Sequence, residues 1–558
     1  MTQSRSHVGM KRARICTEPP ERGVYAAETS ICNHRHPHTE DFCTATLLRT
    51  EVRAPAVGLR PMTPVLAVLI VATITGTIPC SFGRDIHVDP RTGDNTSTNG
   101  PLKTIRHAIR IAQPGDTIHL LPIVYREYAG FYGKRGEPGK PITLDGHGAT
   151  LEGSDPLVPE QWEEVGPALF RCEHLLPYLD DAIIQRWFFL WNGRMNHMGR
   201  TSKGPSAPLK QPNELKPGEW TFVKNAGRKM PRAQQIAGAF YLKLPPGQKL
   251  AAANIFVPTR SAGVQFSSSG TNHNTHLIIR NLTATHPYND GFNIHGHCED
   301  VLFENIRAIE CGDDGISAHE TARYRVDGFV SIGNSTGICD TGASVTSYNR
   351  VFIRDCLGFD LYFLDTGRYS VSNAVVLSSA VRPLYLTGRA NAERSCRLTL
   401  DNVLIRRVTG ENEVRVSKNS ILNARRVTFL GLNFQATGGE VKFFDSIIAG
   451  TPAATESPET YDYIAASTKP RGPLRPDMLL WADVKWSADR NIYDLRGLRF
   501  DKTSFTRKSF TAFQKQTGQD AHSRWATPDL IDWKIGADLK MLKESTVPPN
   551  ERWRINAQ

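Results

Sequence analysis

At 558 residues, 40% apolar and 9% aromatic, the chain is long enough to bury a sizeable core, and its 45 glycines and 35 prolines favour short strands and turns over helices. The formal charge is +11, of which +8 remains when the nine basic and six acidic side chains of residues 1–61 are set aside. A basic chain with no block of Lys and Arg argues against nucleic acid and suits an acidic polysaccharide partner. No apolar run reaches the roughly 20 residues needed to span a bilayer, so no stable membrane span is expected.

Residues 1–61 show no periodicity and read as a leader, or as an upstream start that is not used, with Met62 a conventional start. Residues 62–83 read as a secretory signal peptide. The run "VLAVLIVATITGTI" at 65–78 carries no charge, Arg49, Arg53 and Arg60 precede it, and "SFG" offers small residues for cleavage near Gly83. The mature chain is then secreted, periplasmic or held at the cell surface, and is expected to be a monomer. Six of the ten cysteines follow the leader: Cys172, Cys298, Cys311, Cys339, Cys356 and Cys396. Their spacing fits neither a zinc motif nor a dense disulfide framework, and buried thiols are expected, with room for one or two disulfides after export.

In residues 84–153 a strand and a Gly/Asn loop lead into a helix over about 102–112, placed to cap an open end, followed by the first coils. Residues 154–275, with "FFLWNGRMNHMGR", "KPGEWTF" and "FYLKLPPGQ", break the later period and read as an inserted β-rich segment. From 276 to 450 the chain repeats about every 23 residues: "HLIIRNLTAT", "DVLFENIRAI", "YRVDGFVSIG", "RVFIRDCLGF", "YSVSNAVVLS", "LTLDNVLIRR". Short strands at that period, with no helix between them, predict an all-β solenoid, a right-handed parallel β-helix of stacked coils. Asn281, Asn305, Asp355, Asn373 and Asn402 are expected to form a ladder at one turn, where their side chains tolerate left-handed backbone. Residues 451–558 read as an irregular tail.

The strand after each turn runs "FNIH", "ISAH", "ICDT", "LYFL", "LYLT". Alternation points Phe292, Ile294, Ile316, Ala318, Leu361, Phe363, Leu384 and Leu386 inward. One outward column is then Asn293, Ser317, Cys339, Tyr362 and Tyr385, and a second holds His295, His319, Thr341 and Thr387. On one face these side chains suit a sugar chain, Tyr362 and Tyr385 by stacking and His295 and His319 by hydrogen bonds, with Asn293 and Ser317 as further substrate-binding positions. Tyr and His are also ordinary residues of exposed strands.

"YNDGFNIHGH" and "GDDGISAHE" repeat acid, glycine and histidine 24 residues apart. Stacking sets Asp290 against Asp314, with Asp313 beside it. Three carboxylates at that spacing either hold a proton at neutral pH or share a cation. A held proton would supply a general acid for glycoside cleavage, and calcium is the hard cation that such oxygens accept. A lone Asp-Gly would be an ordinary turn; two in register point to a site.

At these residues the chain resembles family 9 polysaccharide lyases, chiefly pectate lyases, which carry "ADGF" and then "DDGWD". That resemblance, over roughly 85–450, implies a calcium site in which Asp290, Asp313 and Asp314 match three ligands, with Ser317 standing where the fourth aspartate would be. It also implies a lysine base, which no residue matches. The chain is similar as well to polygalacturonases, whose "NTDG" and "GDD" acids match Asp290, Asp313 and Asp314. Their "GHG" and "RIK" have no counterpart; the third rung here is "STGICD".

The expected function is a secreted lyase that cleaves an acidic, uronic-acid polysaccharide by β-elimination, with His295 or His319 as base. A polygalacturonase-like hydrolase using the Asp cluster as acid and base is the second expectation, and a non-catalytic glycan-binding β-helix the third.

Overall fold

A computed structural model describes residues 83–204, 206–408, 412–450 and 475–528. The expectations for residues 1–82, the leader and signal peptide, lie outside the described residues. Among those described, no helix is long and apolar enough to cross a membrane.

The chain winds as a parallel β-helix. Successive coils give one long strand to a 16-stranded sheet and one short strand to a 12-stranded sheet. Along the long sheet, Ile142–Glu152, Asn274–Thr285, Cys298–Ile309, Arg323–Ile332, Val345–Arg354, Arg368–Ser378 and Cys396–Arg407 pair in parallel, each with the next. The short sheet stacks Ala129–Tyr132, Val264–Ser267, Phe292–Ile294, Asp314–Ala318, Thr336–Asp340, Phe359–Asp365, Arg382–Gly388 and Glu413–Val416. Between the sheets runs one core, from Ile86 to Trp525, which buries all eight residues expected to point inward.

Each long strand bends at a residue of positive φ. The bend column is Asn281, Asn305, Gly328, Arg350, Asn373, Asn402 and Arg426, with φ between 49° and 87°. Asp355 is a correction to the expected ladder: strand register puts Arg350 there, and Asp355 lies in the next turn column with His286, Glu310 and Gly333. The amide ladder still runs, Asn402 donating to Asn373 at 2.8 Å and Asn373 to Asn349 at 2.8 Å.

The capping helix is Ile105–Ile111, with the Thr104 hydroxyl accepting from the His107 N–H, and Ile105, Ala108 and Ile109 close the core. The inserted segment has its own core around Trp187, Phe189, Trp220 and Phe240, and two four-stranded sheets built from antiparallel pairs. It ends earlier than expected, after Ile255–Pro258, because Val264–Ser267 already belongs to the short sheet.

The described part of 451–558 is not irregular, which corrects that expectation. Asp477–Leu480 and Gly497–Phe500 extend the short sheet, and Lys485–Asp489 the long one. A helix, Phe510–Thr517, closes this end and stops at Gly518, whose φ of 64° is the left-handed conformation that suits glycine. The six cysteines are free and buried.

Candidate functional site

The repeated Asp-Gly has a packing cause in its second residue. A Cβ on Gly291 would stand 2.7 Å from the Gly315 carbonyl oxygen, and one on Gly315 would stand 2.6 Å from that of Gly337. Only glycine lets successive coil corners stack so closely. The corner turns the preceding aspartates away from the apolar core, and the carboxylates of Asp290, Asp313 and Asp314 gather with one oxygen each within 4.8 Å of one another.

All three are buried, because the inserted segment lies over them. Its loop brings Lys203, whose Nζ donates to Asp313 Oδ1 at 2.5 Å and Asp314 Oδ1 at 2.6 Å. Arg186, the C-cap of the short helix Asp181–Gln185, donates to Asp313 Oδ2 at 2.9 Å, and the Ser202 hydroxyl donates to Asp313 Oδ1. Asp290 accepts from the Asp314 backbone N–H at 3.1 Å and the Ser317 hydroxyl at 2.7 Å.

Charge is divided unequally. Burial works to raise Asp313, but Lys203, Arg186 and the Lys203 and Ser202 hydrogen bonds hold it well below the usual carboxylate range. Asp314 goes the other way, pushed well up by burial and then by the charge of Asp313, with Lys203 opposing. Asp290 is raised by burial and Asp313. Burial would lower Lys203, yet Asp313 and Asp314 lift it well above an ordinary lysine, so it stays an ammonium.

That arrangement does not suit the expected calcium ion. Lys203 already stands between two of the three carboxylates, Arg186 neutralises more of their charge, and Ser317 spends its hydroxyl proton on Asp290. A hard divalent cation needs anionic oxygens free of such donors.

The outward column is continuous: Asn293, Ser317, Cys339, Tyr362 and Tyr385 are direct partners coil to coil. Its first three members are buried, however, while Tyr362 and Tyr385 are half-buried. Asn293 donates to Gln265 at 3.1 Å and accepts from Ser317 at 3.3 Å. Phe359 stacks on Tyr362 at 4.2 Å and Tyr362 on Tyr385 at 5.6 Å, each pair within 11° of parallel. Burial pushes the Cys339 thiol well up, so it is no nucleophile.

His295 and His319 stack at 4.0 Å, 8° from parallel. Burial, then His295, lowers His319 to about 3, leaving a neutral imidazole. Glu320 lies 3.4 Å from His295 Nδ1 and accepts the Gly296 N–H at 2.7 Å; these bonds outweigh burial and hold it at about 2. The charges of Lys203 and Asp313 act on His319, which puts the histidine pair near the acids. Lys203, Arg186 and Ser202 were not anticipated. They sit in the non-repeating segment; the only signal for Ser202 and Lys203 was a lone lysine in the Gly/Ser-rich "GRTSKGPS", and Arg186 had none.

No family model matches the sequence, and no curated protein matches it. Solved structures similar to the chain are XylC in complex with xylose (12% identity, 76% of this chain and 87% of that one, TM-score 0.40) and a glycoside hydrolase (10% identity, 82% and 100%, TM-score 0.41). A third is the pectate lyase Pel9A (13% identity, 64% and 78%, TM-score 0.33). The class that the chain's own sheets define is the parallel β-helix.

Proposed function

We propose that this protein hydrolyses glycosidic bonds in a polysaccharide, using Asp314 as general acid and Asp290 as its partner carboxylate. The observation that carries this reading is a count of charge in a buried space. Three carboxylates lie within 4.8 Å of one another and, among the described residues, only two cations, Lys203 and Arg186, touch them. One negative charge is left over, and burial favours a proton in its place. Asp313, fixed by Lys203, Arg186 and Ser202, stays ionised and keeps that proton on the other two. Asp314 then protonates the leaving glycosidic oxygen while Asp290, too close to it for a water to sit between them, attacks the anomeric carbon; water then displaces Asp290 from the sugar and returns a proton to Asp314. A lysine held as an ammonium by two carboxylates is a poor base, which weighs against a lysine-driven elimination.

β-Elimination is the second reading, with the stacked His295–His319 pair beside the acids as the source of the base; His319 is neutral and able to accept the C5 proton, and the burial that lowers it to about 3 also makes it a weak base. Digestion of a panel of uronic-acid, sulfated and neutral polysaccharides separates the two. Hydrolysis releases reducing ends with no new ultraviolet absorbance, whereas elimination produces an absorbing unsaturated sugar. Absorbance rising in step with chain cleavage overturns the hydrolytic reading.

A further inference from the structure

We propose that the strip formed by Phe359, Tyr362, Arg382, Tyr385 and Arg415 is a subsite for an anionic sugar unit, carrying a carboxylate or a sulfate. It rests on the reading of the acid cluster as a glycan site but not on the chemistry performed there. Strand register joins the two places. Asp314 pairs with Thr336, Thr336 with Phe359, and Phe359 with Arg382, so Arg382 stands three coils along the column of the proposed acid. At about 4.8 Å per coil that is roughly 14 Å, a few sugar units.

The covering loop ends where the strip begins. A Cβ on Gly358 would meet the Lys203 carbonyl oxygen at 2.1 Å, so the loop is seated against the residue next to Phe359. Beyond it the half-buried Tyr362 and Tyr385 stack on buried Phe359 and on each other, so the column offers the edges and hydroxyls of the two tyrosines to a sugar's hydroxyl groups.

The second, independent observation is uncompensated charge. The Arg382 guanidinium lies 5.2 Å from the Tyr385 ring centroid, and no carboxylate pairs with it among the described residues. Arg415, the direct partner of Tyr385 on the next coil, has a buried Nε with no hydrogen-bond partner and no ion pair among the described residues. Several other arginines of the coils are tied to aspartates, such as Arg350 to Asp327 and Arg426 to Asp401. Two half-buried guanidinium groups left open beside an aromatic stack fit an oxyanion carried on a sugar ring.

The test uses the full chain with Asp314→Asn, which should retain ligand, and calorimetric titration with uronate, sulfated and neutral oligosaccharides of equal length. Anionic ligands should bind at least tenfold more tightly than neutral ones, with the margin shrinking as salt is raised. Adding Arg382→Met should cost about tenfold for anionic ligands only, Arg382→Lys should restore part of it, and Tyr385→Ala should weaken both kinds. Preference for the uronate or for the sulfated ligand identifies the group read. Equal affinity for neutral and anionic ligands, no binding of either, or an unchanged affinity in both Arg382→Met and Arg415→Met overturns the subsite. Anionic binding with no cleavage of any polysaccharide by the unsubstituted chain leaves the subsite standing and removes the hydrolytic reading.

Discussion

Lys203 sets how the three aspartates share their charge, and its effect is open to direct test. Because its ammonium already bridges Asp313 and Asp314, activity should be unchanged in excess chelator, and calcium titrated into the protein should give no binding heat. Lys203→Met leaves the acids one cation short and should create measurable affinity for calcium or a lanthanide ion, at the cost of thermal stability. Chelator-sensitive activity in the unsubstituted chain would contradict this account of the cluster. At this scale the sequence was legible wherever the period held. The spacing of 24 residues placed Asp290 against Asp314 and His295 against His319. It failed at Asp355, which lies five residues beyond Arg350, the residue that takes the left-handed position at this bend; both have positive φ, so the turn chemistry did not tell the two corners apart. It could not place Lys203, because no repeat fixes the height of an inserted loop above the sheet.

The inserted segment acts as a cover, and its attachments give two further expectations. Ser202 and Ser335 place their hydroxyl oxygens 3.0 Å apart where the loop meets the short sheet. A Ser202→Cys/Ser335→Cys pair should close a disulfide under oxidising conditions and lower turnover at least tenfold, with full recovery on reduction, since Asp290 and Asp314 are each only 3% exposed beneath the loop. Unchanged turnover in the oxidised form would show that the loop does not move. Close to the start of the insertion, His286 sits between Glu152 at 3.0 Å and Glu310 at 3.2 Å. Burial opposes its charge, but the two carboxylates raise it to about 9. The folded value exceeds the unfolded one near 6.5, so the clasp contributes fully below about pH 6.5 and is lost as pH rises toward 9. Its full contribution is about 3 kcal/mol as an upper bound. Thermal stability should therefore fall across that window, and His286→Gln should flatten the decline; an unchanged slope would remove the role. The insertion was visible in the sequence as broken periodicity, but its end was not. Val264–Ser267 returns to the short sheet before the repeat motif resumes.

Across the whole molecule, a solenoid is readable because each coil repeats the contacts of the last, so strand order, inward residues and outward columns all follow from one period. The reading is lost where coil length changes. Phe434 pairs with Met478, 44 residues on, and Met478 with Leu498, only 20 on, so the C-terminal coils look irregular although they continue the same two sheets. In the proposed subsite, Arg382 and Arg415 would read the substrate class, which the basic balance of the sequence suggested without locating them. The central claim is that buried carboxylates with one proton to give perform hydrolysis on that face. It is tested most directly by measuring reducing ends and ultraviolet absorbance together during digestion of an acidic polysaccharide, with Asp314→Asn and Asp290→Asn/Asp314→Asn alongside. The account predicts reducing ends without absorbance, a loss of about 10³-fold in Asp314→Asn, and little further loss in the double variant, since both substitutions destroy one unit. Cleavage undiminished in Asp314→Asn, or an absorbing product from the unsubstituted chain, would contradict it.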